Sequence, residues 1–294
     1  MSAIIGSFSE ISDRFDAAFV DLWGCMHNGV KSWPEAIAAM RAFRARGGKV
    51  ILVTNSPRPR REVEGQIAAV GLPEDCWDAI ASSGDSARAA MYEGVVGHRV
   101  WVMGDDRDDP FFAPMKLVEN PVTIDRVPLD EAEGIVCCSP FDETADPEVN
   151  EPQFREAIDR GLKLLCANPD IVVDRGDDRV WCAGALARLY SQMGGESLYF
   201  GKPHAPIYDL ARRRLSALGA DVPDDRIVCI GDGIHTDIRG AADAGLASLF
   251  ITGGLAAEET GTDILSDGQP KADLLDDYLA EAVLSPDWAI GFLR

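Results

Sequence analysis

The sequence has few basic residues, few aromatic residues and no long apolar run. Only 28 Lys and Arg residues stand against 49 Asp and Glu residues, so the formal charge is −21 at pH 7. Nucleic acids and anionic membranes are bound through basic patches, and we therefore expect neither as a partner. No apolar stretch reaches the roughly 18 residues of a membrane-spanning helix, and no secretory leader is visible at the N-terminus.

The cysteines show no spacing that is typical of a metal-binding or redox motif. None of the seven cysteines has the C-x-x-C spacing of a zinc ribbon or a thioredoxin-like site, and their number is odd. Cys137 and Cys138 adjoin within an apolar run, which indicates core packing. We therefore expect reduced thiols and a cytoplasmic protein.

The remaining composition is that of an ordinary globular protein, with 46% hydrophobic and 26% charged residues. A chain of 294 residues favours about two domains. Short apolar runs alternate with amphipathic helical segments, which predicts an α/β fold with a doubly wound parallel sheet. The predicted core strands are residues 17–20, 50–53, 79–81, 198–200, 226–230 and 247–251, and a further strand and helix are expected within residues 270–294.

The alternation is interrupted in the middle of the chain. Residues 88–198 are less regular, with a stretch rich in Pro and acidic residues and a candidate hairpin that pairs residues 171–174 with 179–181. We predict that residues 88–198 form an inserted α/β domain, while residues 1–87 and 199–294 form the core domain.

Polar residues stand where four of the predicted core strands end. In an open α/β sheet, ligands bind at the carboxyl ends of the strands, so these side chains are expected to share one crevice. Any one of these residues by itself is more simply explained as a turn or helix-capping residue. Their recurrence at the ends of several strands indicates a ligand-binding site. In chain order they are Asp21, Thr54, Lys202, Asp232 and Asp237.

The chemistry of these side chains favours phosphoryl transfer. Carboxylates of Asp21 and Asp232 in one crevice would repel each other unless a cation neutralised them. Mg²⁺ prefers oxygen ligands and shares its coordination shell with phosphate. A carboxylate such as that of Asp21 can also attack phosphorus to form an aspartyl-phosphate. Lys202 and the donors around Thr54 and Asn55 could neutralise the phosphate oxygens.

These residues resemble the motifs of the haloacid dehalogenase superfamily, in the NagD-like (class IIA) branch that carries a large α/β cap. The resemblance extends over about residues 15–255, with residues 88–198 in the place of the cap. It implies a Rossmannoid core and a magnesium-dependent phosphohydrolase that acts on a small phosphorylated metabolite. Caps of this branch often mediate dimers, so the resemblance leaves a homodimer open.

The roles of individual residues follow from that resemblance. Asp21 would be the nucleophile, assisted by Thr54 and Lys202. The substrate-binding residues that it implies are Thr54, Asn55, Ser56, Lys202 and, in the segment Asn168-Pro169-Asp170, Asn168. The metal ligands that it implies are Asp21, Asp232, Asp237 and the backbone carbonyl of Trp23.

Trp23 is a departure from the family pattern. The superfamily's phosphatases have a second Asp at this place, which protonates the leaving group, and an indole cannot serve as acid or base. His27 is the nearest titratable candidate for a substitute acid. Three functions stay open. The first is a phosphohydrolase whose acid is supplied by another residue or whose leaving group needs little protonation. The second is a catalytically impaired protein that binds a phosphorylated ligand. The third is a metal-independent dehalogenase, which the retained Asp232 and Asp237 disfavour.

Overall fold

The computed structural model describes residues 2–115, 118–175, 178–263 and 268–294, which form two compact units. The core unit consists of Met1–Thr54, Glu64–Ala81 and Tyr208–Arg294, and the second unit consists of Asn55–Val63 and Ser82–Ile207. The predicted domain boundaries at residues 88 and 198 stay a prediction.

Strands and helices alternate along most of the chain. The strands are β1 (Ala3–Ile4), β2 (Ala17–Val20), β3 (Lys49–Thr54), β4 (Ala79–Ser82), β5 (Arg99–Met103), β6 (Asp125–Arg126), β7 (Gly134–Cys137), β8 (Lys163–Cys166), β9 (Val172–Arg175), β10 (Asp178–Trp181), β11 (Glu196–Tyr199), β12 (Ile227–Gly231), β13 (Ala247–Ile251) and β14 (Trp288–Ile290). The α-helices are α1 (Pro34–Ala45), α2 (Arg60–Ala69), α3 (Ser83–Tyr92), α4 (Glu151–Asp159), α5 (Ala183–Gln192), α6 (Ala205–Ala217), α7 (Arg239–Asp243) and α8 (Ala272–Ala282).

The core unit is built on a sheet with the strand order β1-β14-β13-β12-β2-β3-β4. The neighbouring pairs from β1 to β3 are parallel. The central strands β2 and β12 are buried along their whole length, as the continuous apolar runs in their sequences predict. The predicted α/β class with a parallel sheet is therefore confirmed.

The second unit has its own parallel sheet, with the strand order β11-β8-β7-β5-β6. The strand predicted at residues 198–200 is β11 of this sheet, so its assignment to the core sheet was wrong, because an apolar run does not show which sheet it joins. Successive side chains of a strand point to opposite faces, so this sheet has two hydrophobic cores. Cys137 packs in the cluster that contains Phe154 and Tyr190, whereas Cys138 packs in the cluster that contains Phe111. The predicted core packing of both cysteines is confirmed.

Two further segments of the chain test the sequence-based expectations. Strands β9 and β10 pair antiparallel, which confirms the predicted hairpin. The strand and helix expected near the C-terminus are β14 and α8. The short strand β1 was not predicted, and it pairs with β14 from the other end of the chain. None of the helices in the described ranges has the length and apolar character needed to cross a membrane.

Candidate active site

Asp21 and Asp232 follow the two central strands of the core sheet. Val20 pairs with Ile230 in the β2–β12 register, and the Asp21 N–H donates to the Ile230 carbonyl at 2.8 Å. Both carboxylates are buried, with 8% of Asp21 and 5% of Asp232 exposed. A carboxylate oxygen of each residue and the Cys25 Sγ all lie within 4.8 Å of one another. The sheet therefore brings together the two carboxylates that the sequence predicts as a metal pair.

Two glycines leave room around the Asp232 carboxylate. A Cβ on Gly24 would lie 2.1 Å from Asp232 Oδ2, and a Cβ on Gly254 would lie 2.0 Å from the same atom. Gly24 also has a φ of +70°, which other residues rarely adopt. The Leu255 N–H donates to Asp232 Oδ2 at 3.0 Å. Because only glycine fits on these two sides, the loops can approach the carboxylate closely, and paired carboxylates in such a cradle fit a small hard cation.

Cys25 is the member of this group that sequence reasoning missed. The residue is 1% exposed and lies four positions after Asp21, within the same turn. Its only sequence signal is that spacing, since no second cysteine stands nearby. A thiol adds a softer potential ligand beside the oxygen ligands.

Asp237 orders the loop that follows β12. Its Oδ2 accepts the Gly233 N–H at 3.1 Å and the Thr236 hydroxyl at 3.3 Å. A Cβ on Gly231 would lie 2.1 Å from the Asp237 Cγ, so this loop also depends on a close approach at a glycine. Within the described residues, Asp237 is not a member of the group formed by Asp21, Cys25 and Asp232. Its predicted role as a metal ligand stays a prediction.

Thr54 and Ser56 flank the end of β3. Thr54 is the last residue of that strand and is 4% exposed in the core unit. Ser56 belongs to the second unit, where its Oγ accepts the Arg58 N–H at 3.3 Å and its carbonyl accepts the Gly84 N–H at 3.0 Å. These bonds fix the loop after β3 on the beginning of α3.

Asn55, Asn168 and Lys202 belong to one hydrogen-bond network of the second unit, in which Asp170 links the two asparagines. The Lys202 N–H donates to Asn55 Oδ1 at 2.7 Å. The Asn55 Nδ2 donates to the Lys202 carbonyl at 3.1 Å and to Asp170 Oδ1 at 2.8 Å. Asn168 Oδ1 accepts the Asp170 N–H at 3.0 Å, which closes a turn. The structure therefore brings three of the predicted substrate-binding residues into one network.

Trp23 lies at the surface of the core unit, over a buried histidine. The indole is 46% exposed, and a Cβ on Gly29 would lie 2.3 Å from its ring, so glycine allows the ring to pack on the turn. His27 meets the indole edge-to-face, with 5.3 Å between ring centroids and an interplanar angle of 68°. The predicted contact between the Trp23 carbonyl and a metal ion stays a prediction.

His27 is held as a neutral imidazole. The residue is 5% exposed, and this burial lowers its pKa to about 4. Its Nδ1 accepts the Gly29 N–H at 3.0 Å, so hydrogen bonding assigns the ring proton to Nε2. A neutral ring at pH 7 does not supply the imidazolium proton that a general acid needs, which argues against the predicted role of His27 as a substitute acid.

Two family models match the chain, over two separate stretches. The model described as haloacid dehalogenase-like hydrolase matches residues 18–115. The model described as HAD-hydrolase-like matches residues 199–282. The matched segments include Asp21, Thr54, Lys202 and Asp232.

Similar proteins are found among solved structures and curated sequences. The crystal structure of a haloacid dehalogenase-like family hydrolase from Brucella suis 1330 shares 37% identity with a TM-score of 0.82, over 99% of this chain and 100% of that chain. The 5′-nucleotidase YutF of Bacillus subtilis (strain 168) is 24% identical over 265 residues, which are 88% of this chain and 96% of that protein. A glycerol phosphate phosphatase from Mycobacterium tuberculosis, crystallised in complex with magnesium, shares the fold at 22% identity and a TM-score of 0.64, over 88% of this chain and 75% of that chain.

Proposed function

Because the chain belongs to the haloacid dehalogenase-like hydrolases, in their NagD-like (class IIA) branch, we propose that it is a magnesium-dependent phosphohydrolase acting on a small phosphorylated metabolite. The observation that carries this proposal is the approach of the Asp21 and Asp232 carboxylates within 4.8 Å at adjacent strand ends. Relatives named as a 5′-nucleotidase and as glycerol phosphate phosphatases support a phosphorylated substrate.

In the proposed reaction, Asp21 is the nucleophile. One of its carboxylate oxygens attacks the phosphorus while the bond to the leaving oxygen breaks, which gives an aspartyl-phosphate. Water then hydrolyses this acyl phosphate, releasing inorganic phosphate and restoring the carboxylate. Asp21, Asp232 and the Trp23 carbonyl would hold Mg²⁺, which when bound offsets the negative charge of phosphate and carboxylates. Thr54 and Lys202 would bind the remaining phosphate oxygens.

Trp23 restricts the leaving groups that such an enzyme can accept. Related phosphatases place an acid here, and the indole has no proton of suitable pKa to donate. A leaving group that is stable as an anion, such as the carboxylate of an acyl phosphate, a phosphate of an anhydride or an acidic phenolate, needs little protonation. We therefore propose that the natural substrate has an acidic leaving group.

A series of phosphate esters tests both parts of the proposal. Hydrolysis of aryl phosphates is expected to need Mg²⁺ and to accelerate as the phenol becomes more acidic, while alkyl phosphates react slowly. Asp21→Asn should abolish turnover, whereas Asp13→Asn, whose side chain is 84% exposed in the core unit, should not. Trp23→Asp should raise the rate on alkyl phosphates by about 100-fold, because it supplies an acid. Trp23→Phe, which supplies none, is the matched control.

Other outcomes of the same experiment would support one of the two alternative functions, ligand binding without hydrolysis or dehalogenation. If the protein shows no turnover on aryl, acyl or alkyl phosphates with Mg²⁺, yet one such ligand raises its melting temperature, it binds without hydrolysing. Release of halide from haloacids in the presence of a chelator would instead indicate carbon–halogen cleavage. Turnover that is independent of leaving-group acidity would contradict the restriction assigned to Trp23.

A further inference from the structure

We propose that Asn55 is a positioning residue that holds Lys202 through both polar ends of its carboxamide, with Asp170 as its charged partner. This inference rests on the proposed function, in which Lys202 binds the phosphate. It changes the role that sequence reasoning predicts for Asn55, from substrate binding to the support of another residue.

The Asn55 carboxamide has its hydrogen-bonding groups occupied by the protein. Its Oδ1 accepts the Lys202 N–H at 2.7 Å. The two hydrogens of Nδ2 are matched by two acceptors, the Lys202 carbonyl at 3.1 Å and Asp170 Oδ1 at 2.8 Å. Since an amide nitrogen has two hydrogens, no donor of this side chain is left for a phosphate oxygen. Asn55 is also 6% exposed, so its bonds form in a setting where an unpaired donor is costly.

Close backbone contact keeps the lysine segment against Asn55. A Cβ on Gly201 would lie 2.5 Å from Asn55 Oδ1 and 2.7 Å from the Pro169 ring. Only glycine at position 201 therefore allows the carboxamide to reach the Lys202 backbone on one side and the Pro169 segment on the other. Lys202 itself is 4% exposed, so its backbone and side chain are both confined.

The loop that carries Asn55 is anchored on α3. The Gly84 N–H donates to the Ser56 carbonyl at 3.0 Å, and the Ser82 hydroxyl donates to the Arg58 carbonyl at 2.8 Å. A Cβ on Gly84 would lie 2.0 Å from the Pro57 carbonyl oxygen, so the loop and the helix touch through backbone atoms. Because the loop is anchored in this way, Asn55 is held in place, and its hydrogen bonds to the Lys202 backbone fix the position of the lysine.

Asp170 is fixed just as firmly. Its N–H donates to Asn168 Oδ1 at 3.0 Å, and a Cβ on Gly184 would lie 2.5 Å from its carbonyl oxygen. Helix α5 therefore backs the turn that presents the Asp170 carboxylate to Asn55. Asn168 acts here on the turn, through the oxygen of its side chain.

The network explains why this position needs an amide. An aspartate at position 55 has the same shape but offers acceptors alone, and it would face both the Asp170 carboxylate and the Lys202 carbonyl. Like charges at this distance in a buried site repel strongly. In a double variant with Asp at position 55 and Asn at position 170, the repulsion between the two side chains is removed. The amide of residue 170 can then donate to the carboxylate of residue 55, which restores the hydrogen bond between these positions.

This exchange is the experiment that tests the proposal. Asn55→Asp is expected to lower kcat on an activated aryl phosphate by about 100-fold with little change in KM, because a displaced Lys202 no longer matches the transition state. The double variant, which adds Asp170→Asn, should have a kcat at least about tenfold higher than that of Asn55→Asp alone. Asn150→Asp is the matched control, because Asn150 is a buried asparagine of the same unit that donates to the Pro147 carbonyl.

A second readout does not depend on catalysis. Hydrogen–deuterium exchange at the Lys202 amide should accelerate in Asn55→Asp and in Gly201→Ala, and stay unchanged in Asn150→Asp and Gly65→Ala, since a Cβ on Gly65 meets nothing within 4 Å. An inactive wild type would contradict the proposed function, while the exchange result would still decide the role of Asn55. A loss confined to KM without rescue by Asp170→Asn, or unchanged exchange at Lys202, would overturn the positioning role.

Discussion

The buried imidazole of His27 makes stability depend on pH. Burial lowers its pKa from 6.5 to about 4, so between these values the unfolded chain binds a proton that the folded chain does not. The contribution is complete above pH 6.5 and is lost as the pH falls toward 4. At ~1.4 kcal/mol per pKa unit, the free energy of unfolding should decrease by about 3 kcal/mol over this range.

Urea unfolding at a series of pH values, with a chelator present, measures this slope. His27→Gln should flatten it between pH 6.5 and 4, because the titrating ring is gone. His98→Gln, at an exposed position of the second unit, should keep the slope of the wild type. Equal slopes in all three proteins would show that His27 does not titrate differently on folding.

Two buried tyrosines differ in the partners of their hydroxyl groups. The Tyr190 hydroxyl donates to the Leu162 carbonyl at 2.6 Å, whereas the Tyr208 hydroxyl has no hydrogen-bond partner among the described residues. Tyr190→Phe should therefore lower the free energy of unfolding by about 1–2 kcal/mol. Tyr208→Phe should leave it unchanged or raise it by up to about 1 kcal/mol, because it removes a buried polar group that is not compensated. Chemical denaturation of the two variants tests the pair, and a larger loss at Tyr208 would contradict it.

Single residues also mark the limit of prediction from sequence. Asp21 and Asp232 were predictable because they end apolar runs, and parallel strands place such ends together. Cys25 was not, since its neighbourhood depends on the path of a turn. Asn55 was assigned to the substrate through the family resemblance. The sequence does not show the Lys202 and Asp170 groups that its carboxamide meets in the structure.

At the scale of elements, α1 is tied to two strands of the core sheet by one carboxylate. Asp78 Oδ2 accepts the Val50 N–H at 2.9 Å and the Arg44 Nε–H at 3.0 Å, and its Oδ1 accepts an Arg44 Nη2–H at 2.8 Å. Asp78→Ala should cost about 3 kcal/mol, because it leaves a strand N–H and a half-buried guanidinium without this acceptor. The pair of Arg41 with Asp75 is more exposed, with 64% of the Asp75 side chain accessible, so Asp75→Ala should cost less than about 1 kcal/mol. Urea denaturation of both variants provides the comparison, and equal losses would contradict this role of Asp78.

Elements differ in how well their sequences predict them. The central strands β2 and β12 have continuous apolar runs that end at a turn, and this pattern was sufficient to locate them. Strand β1 has two residues and exposed side chains, so its periodicity gives no signal. It forms because β14, from the far end of the chain, offers it a parallel edge. Such long-range pairing, like the order of strands in each sheet, is not encoded in any local window.

The whole molecule has a large excess of negative charge. With 49 acidic and 28 basic residues, self-repulsion should outweigh the exposed ion pairs. Raising NaCl from about 0.01 M to 0.1 M shortens the screening length from about 30 Å to about 10 Å. The melting temperature should then rise by about 3 °C, which corresponds to roughly 1 kcal/mol. A fall would mean that ion pairs such as Arg226 with Asp16 outweigh the repulsion.

The chain passes between its two compact units at four places, after Thr54, Val63, Ala81 and Ile207. A gene fragment that encodes residues 82–207 alone would therefore lack residues 55–63, although these belong to the same unit. The excised piece would keep Lys202 and Asp170 but lose the carboxamide that joins them. To express the second unit by itself, residues 55–63 have to be joined to residues 82–207, by fusion or by circular permutation.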